Sequence, residues 1–200
     1  MAEKIEPIPS TARFAEALTY AERVHAGQSR KGTSIPYIAH PLGVASIALE
    51  HGANEDEAIA ALLHDAIEDS PDPPRVKEDI RRRFGTAVAT IVEGCSDSET
   101  LPKPPWRERK ERYITHLREA SPSIRLVSAA DKLYNARAIL EDYREIGEAL
   151  WERFTAKKDG TLWYYRQLVD VFRETGPRRL AEELERTVTE IEQRAGQSQR

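Results

Sequence analysis

The sequence predicts an all-α protein. Apolar residues recur at three- and four-residue steps through most of the chain. Helix-capping and helix-stopping residues bracket those stretches. No run of β-branched residues alternates with polar ones over the length a strand needs. In order, Ser10 follows Pro9 and caps a helix carrying Phe14, Leu18 and Ala21 that stops at Gly27. The polar stretch QSRKGTSIPYIA reads as a loop. Pro41 suits the first turn of a short helix, PLGVASIALEHG, which Gly52 ends. Asn54 caps the next, running to about Asp69, where SPDPP breaks it. RVKEDIRRRFG and TAVATIVEG are helices closed by Gly85 and Gly94, and SDSETLPKPP is the clearest loop. Further helices span about Trp106 to Ala120, Pro122 to Ile146, Lys157 to Thr175 and Pro177 to Ala195. In the last, Leu180, Leu184, Val188 and Ile191 make one stripe, which suits packing on its own domain or on a second copy in a homodimer. The expectation is one domain over residues 1–200, a bundle of about eight to nine helices. Its core is expected over about 10–175, with a C-terminal helix at 177–195 and a frayed tail, GQSQR.

Composition narrows the function. The chain has 200 residues, 40% hydrophobic and 32% charged, with the charges dispersed, as in a globular domain. Its net charge of −4 supplies no basic field for nucleic acid, so any anionic ligand needs a local pocket. One cysteine, Cys95, excludes an internal disulfide and suits a reducing compartment. MAEKIEPIPS has no apolar core of a signal segment, and no run of about 18 apolar residues occurs. The expectation is a cytoplasmic protein with no membrane contact.

The stretch LLHDAIEDS places His64, Asp65, Glu68 and Asp69 within two turns of an apolar helix. His64 shares the stripe of Ala60, Ala61 and Ile67, with Glu68 four residues on, and Asp69 is four after Asp65. Bare carboxylates at such a boundary lose hydration and repel one another, and a divalent cation removes that penalty. A second anomaly is Asp131, in the apolar stripe of Ile124, Val127, Tyr134 and Ala138, with Asn135 one turn on. A third is His40, in PYIAHP. Two imidazoles and two carboxylates suit Mn²⁺, Fe²⁺, Mg²⁺ or Zn²⁺, and the lack of thiolates excludes a cysteine-type zinc site.

The order H…HD…D resembles the HD-domain metal-dependent phosphohydrolases. HAGQSRKGTSIPYIAHPLGVA, ALLHDAIEDS, IRRRFGTAVATIVEG and SAADKLYNARAI resemble, in the same order, the hydrolase domain of the RelA/SpoT alarmone enzymes, over about residues 10 to 145. The resemblance extends to the small stand-alone alarmone hydrolases of the Mesh type. It implies an all-helical fold with one Mn²⁺ held by His40, His64, Asp65 and Asp131. It implies Glu68 and Asp69 as the acidic pair used in hydrolysis, Arg30 and Lys31 as contacts to substrate phosphates, and Asn135 as a residue of the nucleotide pocket. The implied reaction is removal of the 3′-pyrophosphate of ppGpp or pppGpp. Two alternatives stay open: an HD phosphohydrolase of another nucleotide, such as ppApp or NADPH, or an antitoxin-like partner of an alarmone synthetase.

Two places depart from the family. After IVEG the alarmone enzymes continue with a threonine and a lysine, whereas this chain has CSDSETLPKPP, with Asp97 in that region. The run ALWERFTAKKDGTLWYYRQLV, Ala149 to Val169, does not resemble the classical members. Its Trp163, Tyr164 and Tyr165, with Lys157 and Lys158, suit either core or a base-stacking and phosphate-binding wall. RERKERY, Arg107 to Tyr113, reads as a solvated helix face.

Overall fold

Thr11 opens the first helix, α1 (Ala12–Val24), its hydroxyl accepting from the Phe14 N–H. The computed structural model describes residues 11–97 and 102–197, so Ser10, the expected cap, lies outside the described residues. Ala17 and Ala21 form the buried line of α1, while Leu18 turns outward. Helix α2 (Ala39–Glu50) starts two residues ahead of Pro41, which still falls in the first turn, where a missing N–H leaves no bond unmade.

Helix α3 (Glu55–Leu63) opens on the expected Asn54, in a reciprocal box with Glu57. It ends at Leu63, short of the expected Asp69. The Ala61 carbonyl, the acceptor for the Asp65 N–H in a continuing helix, is taken by His64 Nδ1 at 2.8 Å. The backbone tightens there into turns, with the Ala66 N–H on the Leu63 carbonyl. The four polar residues of the opening anomaly therefore sit on a tight turn beyond the helix.

Helix α4 (Pro73–Phe84) is capped by Asp72, and α5 (Thr86–Cys95) runs through Gly94 rather than stopping there. Gly94 is a packing contact: a Cβ on it would lie 2.4 Å from Ile124 Cδ1. Helix α6 (Trp106–Glu119) precedes α7 (Pro122–Ile146), capped by the Ser121 hydroxyl. A 3₁₀ segment (Gly147–Arg153), absent from the sequence expectation, leads to α8 (Lys157–Thr175) and α9 (Arg178–Gln197). Among the described residues the only β-bridge is the isolated pair Ser29–Pro36.

Helix α7 is the axis of the bundle, touching α2, α3, α5, α8 and α9. Leu180, Leu184, Val188 and Ile191 of α9 are buried against α7 and α8, so this chain uses that stripe internally. Ion pairs Arg137–Glu183 and Arg166–Glu192 flank it. No helix among the described residues is long and apolar enough to cross a membrane.

Candidate functional site

Three elements meet at one buried point. His40 comes from the first turn of α2, His64 and Asp65 from the turn after α3, and Asp131 from the middle of α7. Their approach depends on Gly43, one turn after His40. A Cβ there would lie 2.0 Å from the Tyr134 ring, one turn after Asp131. Only a bare α-carbon lets α2 settle on α7 at this depth.

The two Nε2 atoms lie 3.1 Å apart. Asp65 Oδ2 is 3.2 Å from each of them, and Asp131 Oδ1 is 3.3 Å from His40 and 3.7 Å from His64. A carbonyl only accepts, so the His64 contact to Ala61 puts a proton on Nδ1 and turns Nε2 toward the cluster. Burial opposes a charge on His64, yet Asp65 and Asp131 outweigh it and hold its pKa well above the ordinary value. Burial likewise opposes the Asp65 charge, which His64 and His40 hold in place. Asp131 is held ionised against burial by Lys132 and the same imidazoles. A divalent ion in place of the proton that the two carboxylates hold on His64 balances their charge of −2 and meets nitrogen and oxygen donors of the right type. His40, His64 and Asp65 each offer an atom to a common point that such an ion could fill, and Asp131 faces it from α7.

Around this point the two expected acids diverge. Glu68 is paired with Lys103 at 2.8 Å. Asp69 is open to solvent at the rim but crowded on its protein side. That burial, with Asp65 and Glu68 adding repulsion, pushes its carboxyl up to about 6. Tyr37 donates its hydroxyl to Asp65 Oδ2 at 2.7 Å, and its ring lies between His25 and His40.

A pocket of about 460 Å³ opens beside the cluster. Arg30 and Lys31 line it from the loop before α2, and Asn135 from α7. Arg30 Nη2 donates to Asn135 Oδ1 at 2.7 Å, and Asn135 Nδ2 donates to Asp131 Oδ1 at 2.5 Å, so loop and cluster are tied together. Lys110, Lys132 and Arg153 add three cations, and Tyr134, Trp106 and Tyr164 add aromatic walls. Positive charge and flat apolar faces suit a ligand with phosphates and a planar ring.

All nine expected site residues therefore gather at the cluster, its rim or the pocket. The aromatic run divides. Tyr164 and Tyr165 are both core and pocket wall, while Trp163 lies under the Arg107 guanidinium, 3.3 Å from its ring centroid. Lys157 and Lys158 turn away to Glu152 and Glu148. The expected solvated face of α6 holds for Arg107, Glu108, Glu111 and Arg112, but Tyr113 is buried, Arg109 and Lys110 clasp Asp97 at 2.5 Å each, and Lys110 faces the pocket. Asp97 is thereby neutralised rather than presented to a ligand. Sequence reasoning missed Tyr37 and Lys132, which adjoin ligand-type residues in PYIAH and ADK. It also missed Lys110 and Arg153, for which no local signal exists.

The HD-domain family model matches residues 17–162. The chain belongs to the HD-domain family. This HD-domain protein is 44% identical over 125 residues to the guanosine-3′,5′-bis(diphosphate) 3′-pyrophosphohydrolase MESH1 of Xenopus tropicalis, covering 61% of this chain and 66% of that one. It is 40% identical over 129 residues to MESH1 of Homo sapiens, covering 63% and 69%. The matches thus span about two thirds of those relatives. The solved structure of a metazoan ortholog of SpoT that hydrolyzes ppGpp superimposes with a TM-score of 0.74 at 27% identity, over 90% of this chain and 96% of that one.

Proposed function

We propose that the protein hydrolyses guanosine-3′,5′-bis(diphosphate), releasing pyrophosphate from the ribose 3′ oxygen. The observation that carries this reading is the cluster of two imidazoles and two carboxylates beside a cationic, aromatic pocket, joined to it through Asn135. The similarity to the MESH1 enzymes supports it.

In this reading His40, His64, Asp65 and Asp131 hold one divalent ion, which we take to be Mn²⁺. A bound divalent ion supplies a Lewis acid that lowers the pKa of water and offsets phosphate charge. Arg30 and Lys31 engage the diphosphate oxygens and balance the charge that grows as the bond breaks. Asn135 holds Arg30 in place. Asp69, titrating near 6, takes the proton of the attacking water and returns it to the leaving ribose oxygen. Glu68 orients that water from the neighbouring position. Phosphorus gains the water oxygen, the bond to the ribose oxygen breaks, and protons balance. We place the enzyme in the cytoplasm, as the single cysteine, half-buried Cys95, suits a reducing compartment.

The test is pyrophosphate release from ppGpp with Mn²⁺, beside metal content. Release should vanish in Asp65→Ala, which should also lose metal, and fall about a hundredfold or more in Glu68→Ala with metal retained. No release from ppGpp by metal-loaded wild type would sink the reading.

A further inference from the structure

Asp142 is out of character with its surroundings. Among the described residues it is the one carboxylate lining a pocket that also holds Arg30, Lys31, Lys110, Lys132 and Arg153. A bare carboxylate repels a polyanionic ligand unless the ligand offers it donors. Asp142 Oδ2 accepts from Arg153 Nη1 at 2.8 Å. Its Oδ1 and the Arg153 Nη2 have no other hydrogen-bond partner among the described residues, and the two side chains keep 36% and 26% of their exposure. The pair therefore presents an acceptor and a donor, side by side, to the pocket.

We infer that Asp142 and Arg153 read the base of the nucleotide and select guanine. The inference rests on the proposed nucleotide hydrolysis and names the base preference of that same site. Guanine carries two donors, N1–H and the N2 amino group, on one edge, and two acceptors, O6 and N7, on the adjoining edge. A carboxylate matches the first edge and a guanidinium the second. Adenine offers a lone pair at N1 and an amino group at N6, so both partners face the wrong group.

The spacing agrees. Asp131, Asn135, Ala138 and Asp142 follow one another at four, three and four residues along one face of α7. Asp142 stands about 16 Å along the helix from Asp131 at 1.5 Å per residue. That is the scale of a nucleoside from 3′-phosphate to base edge, with a metal contact at one end and a hydrogen bond at the other. Ile139, Leu150 and Phe154 line the pocket near the pair and give the base apolar faces.

The experiment measures kcat/KM for ppGpp and for its adenosine counterpart, with Mn²⁺, in wild type, Asp142→Asn and Arg153→Ala. Wild type should favour guanosine, and the ratio should fall about ten- to a hundredfold in Asp142→Asn, mostly through loss on ppGpp. Arg153→Ala should lower the same ratio, and metal content of both variants reports on their folding. An equal loss on both substrates would mean that Asp142 merely orients Arg153 toward phosphate, and would overturn the inference. Equal wild-type rates on both bases would overturn it too, with the hydrolase reading left standing. Cleavage of neither would bring down both.

Discussion

His64 shows how much one side chain decides. Its Nδ1 proton takes the Ala61 carbonyl, which ends α3 and turns Nε2 toward His40, Asp65 and Asp131. Tyr37 does the same for Asp65 from outside the cluster. Removing that hydroxyl should free the carboxylate to rotate, so Tyr37→Phe should weaken Mn²⁺ binding about ten- to a hundredfold in calorimetric titration while leaving the fold intact. Asp69 gives a pH signature. Its folded pKa of about 6 lies above the ordinary carboxylate value, so the folded state binds this proton more tightly than the unfolded one. The resulting stability is present at low pH and lost as pH rises through about 6. Denaturant titrations of the metal-free protein should show wild type losing stability relative to Asp69→Asn across that window. A flat difference between the two would contradict the shift.

At the scale of elements, the contact of α2 with α7 sets the site. Gly43 has no side chain because Tyr134 occupies its place, and His40 and Asp131 flank that contact by one turn each. In an exposed helix Gly→Ala gains about 1 kcal/mol in propensity, whereas overpacking costs about 1–3 kcal/mol. The clash of a Cβ with an aromatic ring wins here. Gly43→Ala should therefore lower stability in urea and weaken metal binding, although no ligand is changed. Helix α9 contributes at a distance. It buries Leu184 against α7 and α8, the helices that supply Asn135, Tyr164 and Tyr165 to the pocket. Leu184→Ala should cost about 2–5 kcal/mol in denaturant unfolding. A value near zero would mean that α9 does not brace the bundle.

Across the whole molecule, the metal is expected to act as a fold ligand. Its proposed donors come from three separate elements, so an ion bound to the folded state alone stabilises it by about 2.7 kcal/mol at a hundred times its dissociation constant. Chelation should lower the melting temperature of wild type and leave that of Asp65→Ala unchanged. The net charge of −4 and the cationic pocket coexist because the acids lie mainly on outward helix faces, in pairs such as Arg82–Asp79 and Arg144–Glu190.

Much of this was legible in the residues. Apolar spacing and the Asn54–Glu57 box placed most helices, because both are local effects. An aspartate in the apolar stripe of α7 and a histidine–aspartate pair beyond α3 marked themselves as polar groups out of place. The end of α3 was not legible, since it turns on a ring-to-carbonyl bond that competes with the backbone. Neither were Lys110 against Asp97, nor Arg153 against Asp142, since each is a pairing of distant segments. By itself the sequence determined most of the helices, the kinds of donor available and the family. Only the tertiary structure decided that His40, His64 and Asp131 share one point, and which cations and which single carboxylate face the pocket. Periodicity says which face of a helix is buried; how deeply one helix settles on another depends on the shapes that meet there, as Gly43 and Tyr134 do.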